Sequence, residues 1–524
     1  MAMEARTEKP QKTRSDQPVL FWSGVALLLA LLGFVVLPTL NLGFVADDFF
    51  LLVPDQGLPL TQSPDELHRP LRNAFLRIVE GQLGIQQVLP YRLLVAGTFM
   101  AVLVLLFQLT RRLGANRLGA LAAVFVVAFF PRNQEILYWF AAWQDLLASA
   151  AVLLACLCFV DYRESGIPYR LAVAAIAYLI ALGFKETTVV LPALLVSIDL
   201  YRERSISSLT RRPFLRAYIP FGCIFLGYVV YYLSQSGVAS LMGKRTGGYY
   251  GFHGLGGVVA GVVRALINIG LPFVQPVGFK DIHLWHVAIL LIESAVLLLL
   301  VWRLHLWFAS ILAASWLFCT ILPTAAFAAA FNADRYLFVP LLGVAFFAGL
   351  LVHALVVSPR GAKYSILVCV ALALYTAVGI SQLVISREPW RKAGTEAAMV
   401  IRETMRLSST LPAGSEADFI NITHSLRPHG AVFANGLHEA LHANGFPYSV
   451  RIVRNFSAPD STQQTLVAEL QRCVAAQQHT LQNRTILIEV GGQILKLDTG
   501  CASSLVDSDQ MRRPSAWEVI YTQQ

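Results

Sequence analysis

The sequence predicts a polytopic α-helical membrane protein: about eleven transmembrane helices with external juxtamembrane helices, then a small C-terminal α/β domain outside the membrane. Three observations predict it. Apolar residues fill 56% and charged residues only 14% of 524 positions, well outside the range of a soluble chain. Apolar runs long enough to cross a hydrocarbon core of about 30 Å, which takes about 20 helical residues, recur through most of the chain. From about residue 388 polar segments with short alternating stretches replace them.

The expected crossings lie at 20–41, 92–110, 117–131, 144–161, 169–184, 187–201, 215–235, 284–302, 306–323, 336–357 and 364–386. A basic arm with Arg6, Lys9, Lys12 and Arg14 precedes the first. That run is longer than the apolar core of a secretion signal and no small-x-small cleavage site follows, so it reads as a retained anchor.

Orientation follows from Lys and Arg, which concentrate in short cytoplasmic loops. Alternate connections carry Arg111, Arg112 and Arg117; Arg163 and Arg170; Arg202, Arg204, Arg211, Arg212 and Arg216; Arg303; and Arg360 with Lys363. The N-terminus is therefore expected in the cytoplasm and the segment after 388 in a periplasm or organelle lumen, with a bacterial inner membrane as the expected setting. The net charge of +9 largely reflects this loop bias and implies no nucleic-acid partner. Three parts follow: a cytoplasmic arm at 1–19, a transmembrane domain at 20–387 and an external domain at 388–524.

This topology gathers the unusual polar residues on the external side. The pair Asp47-Asp48 stands just beyond the first helix. Neighbouring residues point about 100° apart on a helix and oppositely on a strand, so the two carboxylates do not share a proton; one can act as a base while the other orients it or ligates a metal. A merely solvated acidic loop is the plainer alternative. Lys185-Glu186 lies between two apolar stretches, as an interfacial turn or as an ion pair lining a cavity. Glu135 and Asp145 flank Trp139 and Trp143, consistent with an interfacial aromatic belt or a cleft. Glu293, inside the eighth helix, calls for a polar partner or a proton.

In the long external connection 236–283, Lys244-Arg245-Thr246-Gly247-Gly248-Tyr249-Tyr250 could embrace a phosphate or be a linker. The stretch 258–271, with Arg264, reads as an amphipathic surface helix.

In the external domain, alternation at 418–423, 449–453, 485–490 and 493–497 predicts strands, with helical spacing at 431–444 and 461–477. His438 and His442 share a helix face at i, i+4 spacing, and no metal site is assigned. Cys473 and Cys501 are the two cysteines of this domain and a disulfide between them stays open. Acceptor patterns for N-glycosylation at Asn421, Asn455 and Asn483 matter only in a eukaryotic lumen.

Several of these segments, in the same order, resemble the polytopic glycosyltransferases with the C-type membrane fold that use polyprenyl-phosphate sugars. The likeness is to protein O-mannosyltransferases, and in particular to the transmembrane part of those carrying tetratricopeptide repeats and their bacterial relatives. Asp47-Asp48 matches the paired acidic motif of the first external loop. His68-Arg69-Pro70-Leu71 resembles the Tyr-Arg-Pro-Leu that follows it. Phe130-Pro131-Arg132-Asn133-Gln134-Glu135 and Trp143-Gln144-Asp145-Leu146-Leu147-Ala148 resemble His-Pro-x-x-x-Glu and Gly-Arg-x-Asp-Leu-Leu-Ala. Lys185-Glu186-Thr187 with Leu191-Pro192 is similar to a Ser-Lys-Glu-Thr segment, and Asp334-Arg335-Tyr336-Leu337 to Glu-Arg-Tyr-Leu. Phe130, Asp334 and His68 depart from the family's usual His, Glu and Tyr, and the domain after 388 stands where the repeats would be.

The resemblance implies a hexosyltransferase of the external membrane face. Asp47, supported by Asp48, would deprotonate an acceptor hydroxyl on a protein or glycan, with inversion at the sugar. Arg335, with Arg69, Lys185 or Arg264, would neutralise the departing lipid phosphate, and Glu135, Glu186 and Asp334 would complete the substrate site. Members of the wider fold differ in metal use, which leaves room for a divalent cation. The alternatives are a transporter or flippase for a lipid-linked or polysaccharide precursor, and an inactive scaffold relative. No internal repeat of the transporter kind is visible in the sequence.

Overall fold

A computed structural model describes residues 18–53, 69–204, 212–241, 252, 254–274, 282–327, 333–357, 365–409, 416–420, 425–426, 430–431, 437–447, 449–453, 484–490 and 493–497. The chain divides into two compact units. The first comprises Met1–Leu40, Leu58–Phe75 and Tyr91–Ile385; the second comprises Asn41–Gly57, Leu76–Pro90 and Ser386–Gln524.

The first unit is helical. Its elements are α1 (Pro18–Val36), the start of α3 (Pro70–Leu83), most of α4 (Val88–Arg112), α5 (Arg117–Ala128), α6 (Gln134–Tyr138), α7 (Trp143–Ser165), α8 (Pro168–Phe184), α9 (Leu191–Glu203), α10 (Arg212–Leu241), α11 (Gly254–Gly270), α12 (Leu284–Leu304), α13 (Trp307–Phe327), α14 (Phe338–Val357) and the first half of α15 (Ser365–Ser408). Among the described residues eight segments are long and apolar enough to cross a membrane: Pro18–Asn41, Val88–Arg112, Phe140–Ser165, Leu215–Ser234, Leu284–Leu304, Trp307–Ala326, Asp334–Val357 and Ile366–Ser408. The protein is thus an integral membrane protein. Eight segments, rather than the eleven expected, meet the length requirement. The runs expected at 117–131, 169–184 and 187–201 form α5, α8 and α9, of 12, 17 and 13 residues, short of the roughly 20 a straight crossing takes.

Helix α7 shows how the unit is layered. At 1.5 Å per residue its 23 residues reach about 35 Å. Asp145 lies in its first turn, and Asp161, Arg163 and Glu164 lie near its last. At that far end Arg112 pairs with Asp161 and Glu164, Arg202 with Glu164, and Arg163 with Asp199, which also accepts from the Tyr218 hydroxyl. The stretch between is apolar and mostly buried, because charged groups left in hydrocarbon would be costly.

Helices α5 and α14 approach through glycine. A Cβ on Gly119 would meet the Gly349 carbonyl oxygen, and one on Gly349 would lie 2.8 Å from the Gly119 carbonyl oxygen. Small residues let membrane helices touch backbone to backbone, where apolar burial offers little driving force. This contact fixes the segment leaving α5, with Arg132 to Glu135, against the segment entering α14, with Asp334 and Arg335. Asn116 caps α5 by accepting from the Gly119 amide at 2.8 Å.

In the second unit, β1 (Glu416–Ile420), β4 (Ser449–Val453), β5 (Arg484–Val490) and β6 (Gln493–Leu497) form a sheet ordered β4-β1-β5-β6. β1 is parallel to both neighbours and β5–β6 is antiparallel. β2 (Ser425–Leu426) and β3 (Gly430–Ala431) form a separate two-stranded pair that ends at Ala431, where the helix was expected to begin. The helix there is shorter, α16 (Leu437–Ala443), and it packs on β4 and on α2 (Asp47–Leu52). The helix expected at 461–477, Cys473, Cys501, Lys244–Tyr250 and the glycosylation-pattern asparagines Asn421, Asn455 and Asn483 lie outside the described residues.

Candidate active site

In the first unit four ion pairs, joined through the ring of Tyr336, link residues from five stretches of sequence. Arg69 immediately precedes α3 and grips Glu186 with two parallel bonds, Nε to Oε2 at 2.6 Å and Nη2 to Oε1 at 2.7 Å. Its remaining nitrogen Nη1 donates to Gln144 Oε1 at 2.9 Å, an oxygen that also accepts from Arg72 at 3.3 Å. Arg69 is 3% exposed and Glu186 27%, so the fork is rooted in protein and open at its carboxylate. Proline at position 70 suits a helix start, and Arg72, three residues beyond Arg69, falls on the same face.

Lys185 is the residue at which α8 ends in extended backbone. Its ammonium lies 3.1 Å from Asp145, and it sits 5.1 Å from the centroid of the Tyr336 ring. The same ring faces Arg335 at 5.0 Å, and Trp139 faces that guanidinium at 4.7 Å, so Arg335 has aromatic contacts from two residues. Glu135 accepts from Arg335 Nη1 at 3.1 Å and from its backbone amide at 3.3 Å. Asp334 accepts from Gln134 at 2.9 Å and from Arg132 at 3.4 Å. Beside it, Arg264, Asn268, Thr324 and Tyr336 line a cavity of about 20 Å³, enough for one water.

The electrostatics follow from burial and pairing. Burial pushes the Glu186 carboxyl up, but the charge and hydrogen bonds of Arg69, with the charge of Lys185, overcome this and hold it at about 2. Burial lowers Lys185 despite the opposing pull of Asp145. Glu135 is raised by burial and by the charge of Asp334, against the attraction of Arg335. Each cation is thus held in place by a carboxylate before any ligand arrives, which is the form of preorganisation that stabilises charge developing in a transition state.

The acidic pair belongs to the second unit, where it opens α2. The two carboxylates differ. Asp48 is 0% exposed, and its Oδ2 accepts from the Val45 amide at 3.0 Å while its own amide donates to the Val45 carbonyl at 3.0 Å. Asp47 is partly exposed. The preceding Ala46 has φ 45°, in a region that L side chains rarely adopt, so this turn is held under local strain. Gly43 meets Gly394 of α15 so closely that a Cβ on Gly394 would lie 2.9 Å from the Gly43 nitrogen.

Six of the residues expected from the sequence, Arg69, Glu135, Lys185, Glu186, Asp334 and Arg335, are therefore connected within the first unit, Arg264 lines the small cavity beside Asp334, and Asp47 and Asp48 lie in the second. Sequence reasoning did not single out Arg72, Arg132, Gln134, Gln144 or Tyr336 as parts of a network. Arg132, Gln134, Gln144 and Tyr336 do stand inside the motifs that carry the family resemblance, and the three-residue spacing of Arg72 from Arg69 offered a signal for Arg72. His438 and His442 stack on α16 with ring centroids 4.3 Å apart, and among the described residues no group of three or more metal-ligating side chains comes together.

No family model matches the chain, and no curated protein does. Solved structures do. ArnT from Cupriavidus metallidurans in the apo state matches with TM-score 0.51 at 10% identity, over 90% of this chain and 93% of that one. ArnT from the same organism bound to undecaprenyl phosphate gives 0.48 at 11% identity, over 91% and 93%. The arabinofuranosyltransferase AftD from Mycobacteria gives 0.44 at 16%, over 92% of this chain and 37% of that one. The likeness to apo ArnT assigns the chain the C-type membrane glycosyltransferase fold.

Proposed function

We propose that the protein is a glycosyltransferase that moves a sugar from a polyprenyl-phosphate carrier to a hydroxyl of a protein or glycan on the external membrane face. The observation that carries this reading is the set of cations, buried Arg69 and Lys185 and partly buried Arg335, each clamped by a carboxylate in an integral membrane protein of this fold. A departing lipid phosphate needs fixed positive charge in a place of low dielectric, and bidentate or stacked guanidinium groups supply it. Undecaprenyl phosphate, to which ArnT is bound in one of the similar structures, belongs to the ligand class such groups would suit.

In the reaction, Asp47 takes the proton of the acceptor hydroxyl. That oxygen forms the new bond to the anomeric carbon as the bond to the phosphate oxygen breaks, which inverts the centre. Asp48, buried against Val45, positions its neighbour. The O-mannosyltransferase resemblance suggests a hexose as the group transferred, and the loop-charge pattern suggests a cytoplasmic N-terminus with the C-terminal region outside. Charge gathered near helix ends rather than at broken helices favours transfer over transport.

The test is turnover by purified protein of a panel of polyprenyl-phosphate sugars, with release of lipid phosphate as the readout. Wild type releases it from at least one donor and Asp47→Asn is slowed by 100-fold or more. Equal release by both, or release from none, refutes the reading.

A further inference from the structure

A second cavity of the helical unit lies away from this charged network. Helices α1, α5, α14 and α15 enclose an apolar groove of about 520 Å³, walled by residues such as Leu27, Leu121, Phe125, Val352 and Leu372. On α14 the groove is reached at Val352 to Val356, whereas Asp334 and Arg335 precede Phe338 at the other end of that helix. At 1.5 Å per residue the two are separated by roughly 20 Å along the helix axis. A ligand with its phosphate at Arg335 does not place that phosphate at the groove.

The end of the groove is marked by charge. Leu118 and Leu20 line it, and their sequence neighbours Arg117 and Phe21 are in contact, the guanidinium lying 5.6 Å from the ring centroid. Arg117 is exposed, and no carboxylate among the described residues forms an ion pair with it. It opens α5, at the end where α1 begins, α14 finishes and α15 begins. A long apolar slot with a cation at its end complements an amphiphile with one extended chain and an anionic head. Basic pockets between membrane helices hold anionic lipid headgroups on these terms.

We infer that this groove is a binding site for an anionic glycerophospholipid, with one acyl chain between α1, α5, α14 and α15 and the phosphate at Arg117. The acyl chain makes dispersion contacts with the apolar walls of the groove.

The full-length protein, purified in mild detergent and stripped of lipid, is titrated with phosphatidylglycerol and phosphatidylethanolamine of the same chains, with bound lipid read by native mass spectrometry. Wild type prefers phosphatidylglycerol by about fivefold, the effect expected of one interfacial cation. Arg117→Gln binds both lipids equally. Ala373→Phe and Ala377→Leu, which fill the groove from α15, lose this lipid, whereas Leu298→Phe on the exposed face of α12 keeps it. Variants are compared only where size exclusion shows a folded monodisperse protein, and two groove-filling variants guard against one misfolding. Equal binding of the two lipids by wild type overturns the inference. So does retention by both groove-filled variants, or displacement of phosphatidylglycerol by undecaprenyl phosphate. The readout is independent of sugar transfer.

Discussion

Arg69 and Glu186, 117 positions apart in the chain, meet in a fork of two bonds at 2.6 and 2.7 Å. Removing one partner from a buried pair leaves an uncompensated charge, at a cost of about 3–5 kcal/mol, whereas replacing both with apolar groups costs much less. Glu186→Gln and Arg69→Met should therefore each lower thermal stability in detergent strongly, and the double variant Arg69→Met with Glu186→Leu should recover a large part. A double-mutant cycle with strictly additive losses would show that the pair is not coupled.

The pH dependence of that pair has a definite sign. Glu186 is held at about 2 against an ordinary value of 4.5, so its stabilising contribution is complete above about 4.5 and is lost as the pH falls through about 2. The stability gap between wild type and Glu186→Gln should be constant from pH 7 to 5 and narrow below 4.5. Unfolding midpoints at closely spaced pH values measure it, and a gap that closes already between pH 7 and 5 contradicts the assignment.

The two aspartates should separate in their phenotypes. Asp48 is fully buried and holds the Val45 amide, so Asp48→Ala should cost about 1–3 kcal/mol of stability through the lost bond and the stranded donor. Asp47→Asn, which keeps the size of the side chain at a partly exposed position, should cost less stability than Asp48→Ala while abolishing most turnover. Ala46→Gly relieves a positive φ and should raise the midpoint slightly. Circular-dichroism melts beside a lipid-phosphate release assay distinguish the three.

The glycine contact between α5 and α14 should be intolerant of size. Gly349→Leu forces the helices apart at the Gly119 backbone and, through them, shifts Arg132 to Glu135 relative to Asp334 and Arg335. We expect at least a tenfold loss of turnover together with a lowered melting temperature, and a smaller loss for Gly349→Ala. Unchanged activity in Gly349→Leu would show that this packing does not position the network.

Much of this architecture is legible in the sequence because it follows from local patterns. Apolar length sets where helices α1, α4, α7, α12 and α14 run, and alternation places β4 at Ser449–Val453 and β6 at Gln493–Leu497. The conspicuous charged pairs at helix ends, Lys185-Glu186 and Asp334-Arg335, stand out for the same reason: ions beside hydrocarbon are rare. What no local pattern carries is partnership. Nothing in the run Lys185-Glu186 says that Glu186 turns to Arg69 while Lys185 turns to Asp145, or that Gln144 bridges Arg69 and Arg72.

By itself, then, the sequence determined that this chain lives in a membrane and which charged residues are out of the ordinary, because hydrophobic length and the cost of a buried ion are properties of short segments. Only the tertiary structure decided which cation each carboxylate holds, that Asp48 is buried where Asp47 is partly exposed, and that the acidic pair shares a compact unit with α16. Those are distances between residues remote in the chain, set by helix packing at contacts such as Gly119 against Gly349, and packing is a property of the whole fold.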